Sequence, residues 1–201
     1  MGLYTFGIIV AMELTENKPG NFIFTADGVI SAEDCKQIIE KFEQDQRKHP
    51  GQLYGHKVNL DIKRSTDFQI RKEFEDWKDT DALLYKVTHS LMLSLGKHLQ
   101  AIRECTVSDT GYIIQRTKVG QEFVWHSDVG SKGTCNRMFA VIYYLNDVEE
   151  GGTTDFHYQD VSIKPAPGRA LVFPANFTHI HRGAMVTKGT KYIVTTFIIY
   201  A

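Results

Sequence analysis

The sequence predicts an α+β fold, mostly β, in which helices in the first half pack against one sheet of a strand-rich second half. Three observations predict it. Apolar residues recur at helical steps of three and four in two stretches before residue 104. From about residue 110 the texture changes to short β-branched and aromatic runs, cut by Asn146-Asp147, Gly151-Gly152, Pro165-Ala166-Pro167-Gly168 and Lys188-Gly189. No repeat, low-complexity segment or linker interrupts the 201 residues. One domain is therefore expected over residues 1–201, with helical support at about 31–104 and a β core at about 107–200. Many short, regularly spaced strands mean a sandwich or barrel, and a jelly roll is the form expected.

The elements follow in order. Residues 1–12 are apolar, but no Lys or Arg precedes the run and it is too short to span a bilayer. It reads as a short peripheral strand or tail, with Met12 an alternative start. Phe22-Ile23-Phe24 reads as a strand. Ser31 before Glu33 and Asp34 has the form of a helix N-cap followed by acids in the first turn. Ile38, Ile39 and Phe42 give that helix its apolar stripe, and it should end before Pro50-Gly51. A strand is expected around Phe68-Gln69-Ile70. A second helix should start near Thr80-Asp81, with Leu84, Val87, Leu91, Leu95, Leu99 and Ile102 on one face. Strands are then expected at 112–115, 122–125, 138–145, 170–173 and 192–199.

Composition narrows the class of function. A formal net charge of -1, with Lys and Arg scattered, gives no electrostatic footprint for nucleic acid or an anionic membrane. Neither partner is expected. Cys35, Cys105 and Cys135 are widely spaced and odd in number, which argues against a disulfide framework and for a reducing, cytoplasmic setting. They read as core or neutral positions. In that setting the sequon Asn176-Phe177-Thr178 carries no meaning.

The chemistry concentrates in Trp125-His126-Ser127-Asp128 and His179-Ile180-His181. In an extended segment, His126 and Asp128 share one face because side chains alternate. A distant histidine completes a two-His-one-carboxylate set, which leaves one side of an iron(II) ion open. His181 and His179 have the same strand parity, so spacing alone leaves both available. His157 is a weaker candidate and should face solvent, and Trp125, opposite in parity to His126, should be core.

Three motifs, in order, carry a resemblance. Gly120-Gln121-Glu122-Phe123-Val124-Trp125-His126-Ser127-Asp128 resembles the strand delivering the first two iron ligands in prolyl 4-hydroxylase-like 2-oxoglutarate oxygenases. Arg137 through Asn146, with Asp147-Val148-Glu149-Glu150-Gly151-Gly152-Thr153-Thr154, resembles that family's next strand and turn. His181-Arg182-Gly183-Ala184-Met185-Val186 with Lys191 resembles its "HxGxPV…GxK" segment. The likeness is close over about residues 110–200.

The resemblance implies a double-stranded β-helix with iron held by His126, Asp128 and His181. Lys191 would pair with the distal carboxylate of 2-oxoglutarate, helped by Tyr144 and Thr195. Arg137 and Phe197 match positions that face substrate. The implied activity is a 2-oxoglutarate-dependent dioxygenase that uses iron(II), oxygen and ascorbate as reductant. It would hydroxylate an aliphatic C–H, with a prolyl residue of a peptide or protein the leading substrate. A free amino acid or other small molecule is the alternative within the enzyme class. A non-catalytic, cupin-like metal- or ligand-binding module is the alternative outside it, but such a module has no reason to keep Lys191 at its spacing. Two positions depart from the pattern. Thr117 stands where the family often has Tyr, and Met185 stands where it has Pro; both bear on the pocket rather than on the metal ligands.

Overall fold

Two antiparallel sheets packed face to face, with helices over the outer side of the larger one, make up the described residues 12–200 of this computed structural model. The expectations for residues 1–11 lie outside the described residues. The chain enters through β1 (Thr15–Glu16) and β2 (Phe24–Ala26). The strand expected at Phe22 starts later, because Phe22 takes a left-handed φ of 56° and turns its ring outward.

Helix α1 (Ala32–Gln44) begins as expected, with Ser31 Oγ accepting from Asp34 N at 3.0 Å. Cys35, Ile38 and Phe42 form its buried stripe. Next come β3 (His49–Pro50) and β4 (Thr66–Gln69). Helix α2 (Lys78–His98) buries Leu84, Val87, Leu91 and Leu95. The apolar stripe predicted to continue through Ile102 is broken at Leu99, whose backbone is extended (φ −120°, ψ 95°). Ile102 falls in a separate short helix, α3 (Gln100–Arg103), and both residues still pack on the core.

The strands that follow are β5 (Val107–Asp109), β6 (Ile113–Lys118), β7 (Phe123–His126), β8 (Arg137–Tyr144), β9 (Glu150–Gly151) and β10 (Thr154–Phe156). They continue through β11 (Val161–Ile163), β12 (Ala170–Pro174), β13 (His181–Gly183), β14 (Val186–Lys188) and β15 (Thr190–Tyr200). The larger sheet runs β1-β2-β12-β8-β15-β6-β4-β3, with β5 beside β15. The smaller runs β11-β10-β13-β7, and β14 pairs with β9 separately.

Strands β8 and β12 are buried on both faces, which explains their nearly unbroken apolar runs. Val141, Tyr143, Val172 and Val194 point outward against α1 and α2. Ala140, Ile142, Tyr144, Leu171, Phe173 and Ile193 point inward, against Phe156, Val161 and Ile163 of the smaller sheet. Truncating a helix anchor such as Leu84, fully buried in the outer core, would cost about 2–5 kcal/mol. The open end of the inner layer becomes the functional cleft.

Two glycine positions are dictated by backbone. Gly151 has φ +74°, and a Cβ there would sit 2.1 Å from Met185 O, so the turn into β10 needs glycine. Gly168 has φ +73° with Ile30 O at the same 2.1 Å. No helix among the described residues is long and apolar enough to cross a membrane.

Candidate active site

His126, Asp128 and His181 converge at the mouth of the inner layer, each offering one ligand atom within 4.8 Å of the others. His126 is the last residue of β7 and His181 the first of β13, and the two are direct cross-strand partners. Asp128 is not on the strand face expected for it. It lies in the bend after β7, and that bend brings its carboxylate to 3.6 Å from Nε2 of both His126 and His181.

The hydrogen bonds fix which nitrogen faces the cluster. His126 Nδ1 lies 2.7 Å from Val124 O and His181 Nδ1 3.0 Å from His179 O. A carbonyl only accepts, so each Nδ1 carries the proton and each Nε2 presents its lone pair inward. Burial pulls the His181 imidazole down to about 4, so it is neutral near pH 7. Burial of Asp128 opposes its ionisation, but His181, His126 and Arg137 outweigh it and hold the carboxyl below the usual range. Two imidazoles, their rings oriented by backbone carbonyls, and one carboxylate suit iron(II).

His179, left level with His181 by parity, is not part of the cluster. A 3₁₀ turn over Phe177–His179 breaks the strand pattern, and its Nε2–H donates to Asn21 O at 2.9 Å. His157 is exposed. Trp125 is a correction to the expectation of a core residue: it is 42% exposed, with the Arg182 guanidinium 4.8 Å from its ring centre.

The triad opens onto a cleft of about 720 Å³. Lys191, Ile193, Thr195 and Phe197 line it from alternate positions of β15. Lys191 is buried, has no carboxylate partner within ion-pair distance among the described residues, and its ammonium lies 5.6 Å from the Tyr144 ring centre. Burial lowers it to about 8 against the weak pull of Asp155. A buried cation without a counter-ion is costly unless a ligand supplies the anion. Thr117, the departure from the motif, pairs directly with Lys191 across β6. Tyr144 is buried behind the lysine, its hydroxyl 2.6 Å from Thr154 Oγ1, and burial pushes that hydroxyl up. Thr195 Oγ1 accepts from Gln115 Nε2 at 3.0 Å.

Arg137 and Phe197 meet in the cleft wall, with the guanidinium carbon 3.6 Å above the Phe197 ring centre. Arg137 Nη1 also donates to Asp128 O at 2.9 Å. Met185 is exposed beside the β14 turn. Sequence reasoning missed Lys63, Ser65 and Asp67, which also line the cleft. Their signal, a lysine four residues before an aspartate, lay in the mixed segment between the helices.

Residues 112–199 match the sequence profile of the 2OG-Fe(II) oxygenase superfamily. A probable prolyl 4-hydroxylase of Arabidopsis thaliana is 30% identical over 42% of this chain and 39% of its own length. A multifunctional procollagen lysine hydroxylase and glycosyltransferase of Caenorhabditis elegans is 40% identical over 26% of this chain and 7% of its own. The chain thus spans about two fifths of the plant relative and under a tenth of the nematode one. Among solved structures, a Trichoplax adhaerens prolyl hydroxylase bound to a hypoxia inducible factor peptide fragment shares the fold. Its TM-score is 0.75 at 15% identity, over 90% of this chain and 84% of that one. The 2-oxoglutarate complex of a viral collagen prolyl hydroxylase from Paramecium Bursaria Chlorella virus-1 gives 0.64 at 19%, over 90% and 98%.

The match takes in a little under half of the chain, and over residues 112–199 the chain resembles the 2OG-Fe(II) oxygenase superfamily. Prolyl 4-hydroxylases are among the proteins it resembles in sequence and in fold.

Proposed function

We propose that this protein is an iron(II)- and 2-oxoglutarate-dependent dioxygenase that hydroxylates an aliphatic C–H, with a prolyl residue of a peptide or protein as substrate. The observation that carries the reading is the pairing of the His126–Asp128–His181 cluster with a buried Lys191 that has no ion-pair partner among the described residues, in the same cleft. The two-sheet core is read as a double-stranded β-helix and residues 1–201 as one oxygenase domain.

His126, Asp128 and His181 would hold the iron, which with 2-oxoglutarate and oxygen supplies the oxidising chemistry. The chain's own contribution is placement. The Nδ1–H bonds to Val124 O and His179 O keep both Nε2 atoms presented. Lys191 binds the distal carboxylate of 2-oxoglutarate, and a charge-assisted bond there contributes about 1.5–3 kcal/mol. Tyr144 stands behind the lysine, its hydroxyl held by Thr154 Oγ1, and Thr195 lines the cleft four positions along β15. The apolar inner faces of β8 and β15 keep water from the reacting carbon. Arg137 and Phe197 bound the space left for substrate. Ascorbate serves as reductant, and the free cysteines fit a cytoplasmic setting, which fractionation of the source cells tests.

The plant prolyl hydroxylase relative and the peptide-bound structural neighbour support a peptide substrate. The 40% identity to a procollagen lysine hydroxylase favours peptidyl lysine as a second reading. A screen for substrate-dependent succinate release, with iron(II), ascorbate and oxygen, separates the possibilities. Turnover with proline peptides supports the leading reading; turnover only with lysine peptides or free amino acids replaces the substrate. Metal binding without succinate release, with or without substrate, would leave the cupin-like module.

A further inference from the structure

Between Ile62 and Asp67 the chain crosses from one sheet to the other, beside the candidate metal site. Ile62 O accepts from Val124 N at 3.0 Å and Glu122 O from Arg64 N at 2.8 Å, so residues 62–64 run as an extra rung along β7. By Asp67 the chain is in β4, opposite Gln115 of the larger sheet. Inside this crossing, Lys63 Nζ and Asp67 Oδ2 form an ion pair at 2.6 Å, and Ser65 Oγ donates to Asp67 Oδ1 at 2.7 Å. All three side chains are buried. The crossing is packed against Gly51, where a Cβ would stand 2.3 Å from Ser65 Oγ and 3.2 Å from two carbons of Lys63.

The pair reaches the metal site through one ring. Lys63 Nζ lies 5.5 Å from the Phe123 ring centre, within cation–π range. Phe123 in turn stacks on the His126 imidazole, with centroids 3.6 Å apart and planes 12° apart. A strand would put residues 123 and 126 on opposite faces. The register slips between Gly183↔Phe123 and His181↔His126, and this bulge turns both rings to the same side. A buried ion pair generally adds little stability over an apolar pair of similar size, so fixing geometry is the better account of this one.

We propose that the Lys63–Asp67 pair is a positioning device for the His126 imidazole: it anchors Phe123, and the Phe123 ring sets the plane in which His126 Nε2 faces the metal. The inference rests on the metal-site reading of His126. Ser65 orients the aspartate, and the device acts through the ring without touching metal or substrate.

The test is anaerobic titration of the full chain with cobalt(II), reading the dissociation constant and the visible spectrum of the bound ion, with a thermal melt alongside. The double variant K63M/D67L replaces the pair with apolar side chains, and F123L removes the ring but keeps the pair. Each should weaken cobalt by about 10-fold or more and shift its spectrum, as loss of an orienting neighbour does. Combining all three substitutions should add nothing further. K63R, which keeps the charge, should restore most of the affinity. Wild-type affinity and spectrum in either K63M/D67L or F123L would overturn the proposal; if the double variant does not fold, F123L alone decides it. H126A is the control for the underlying reading: cobalt binding unchanged in H126A would sink the metal site itself.

Discussion

Replacing Lys191 by methionine should push stability and co-substrate binding in opposite directions. Burial lowers the Lys191 ammonium from an ordinary 10.5 to about 8. At about 1.36 kcal/mol per pH unit, holding that charge buried without an anion beside it costs roughly 3 kcal/mol near pH 7. Methionine fills similar space without the charge, so the ligand-free protein should gain up to about 3 kcal/mol, with better packing or strain setting the actual share. At about 2–4 °C per kcal/mol for a chain of this size, the melt should rise by several degrees.

The sign can be checked by pH. Between about 8 and 10.5 the unfolded lysine binds a proton that the folded one has lost, so Lys191 makes the wild type more stable as pH rises through that window. The advantage of Lys191→Met should shrink over the same window and vanish above it. Binding of 2-oxoglutarate moves the other way. Losing about 1.5–3 kcal/mol of charge-assisted bonding raises its dissociation constant by about 10- to 150-fold. In the wild type, affinity should hold below pH 8 and weaken above it as the lysine discharges. Calorimetric melts and titrations with 2-oxoglutarate, with metal present in the latter, measure both. A destabilised Lys191→Met protein, or one that binds 2-oxoglutarate as tightly as wild type, would refute the reasoning.

Other substitutions probe other links of the argument. His181→Ala should abolish iron(II) binding measured by anaerobic titration, while His179→Ala, which breaks the bonds to Asn21 O and Thr178 Oγ1 but removes no ligand, should bind it within a few-fold of wild type. Ser31→Ala removes the N-cap bond to Asp34 N and should lower stability by about 1 kcal/mol in denaturant melts, with no change in metal affinity. Gly168→Ala forces a side chain into a left-handed backbone and against Ile30 O, and should cost at least about 1–3 kcal/mol.

Much of the layout was legible because it depends on local periodicity. The α1 stripe, its Ser31 cap and the long apolar runs of β8 and β15 each state their element directly. The three-residue strands β10, β11 and β13 were not legible, since so short a run carries no period and is fixed by its neighbours. At the site, the triad and Lys191 could be named, but not how they meet. Alternation within a strand placed Asp128 beside His126, whereas the structure brings it there by a bend. Alternation likewise left His179 level with His181, whereas a 3₁₀ turn separates them. Trp125 was misjudged because β7 is covered on one face only. The Lys63–Asp67 pair was invisible because its meaning comes from the crossing between sheets.

The most direct test is a crystal structure grown without oxygen in the presence of iron(II) and 2-oxoglutarate. One anomalous-scattering peak should lie at bonding distance from His126 Nε2, His181 Nε2 and an Asp128 oxygen, with the far carboxylate of the co-substrate on Lys191 Nζ. A metal bound elsewhere, or a co-substrate whose distal end avoids Lys191, would contradict it.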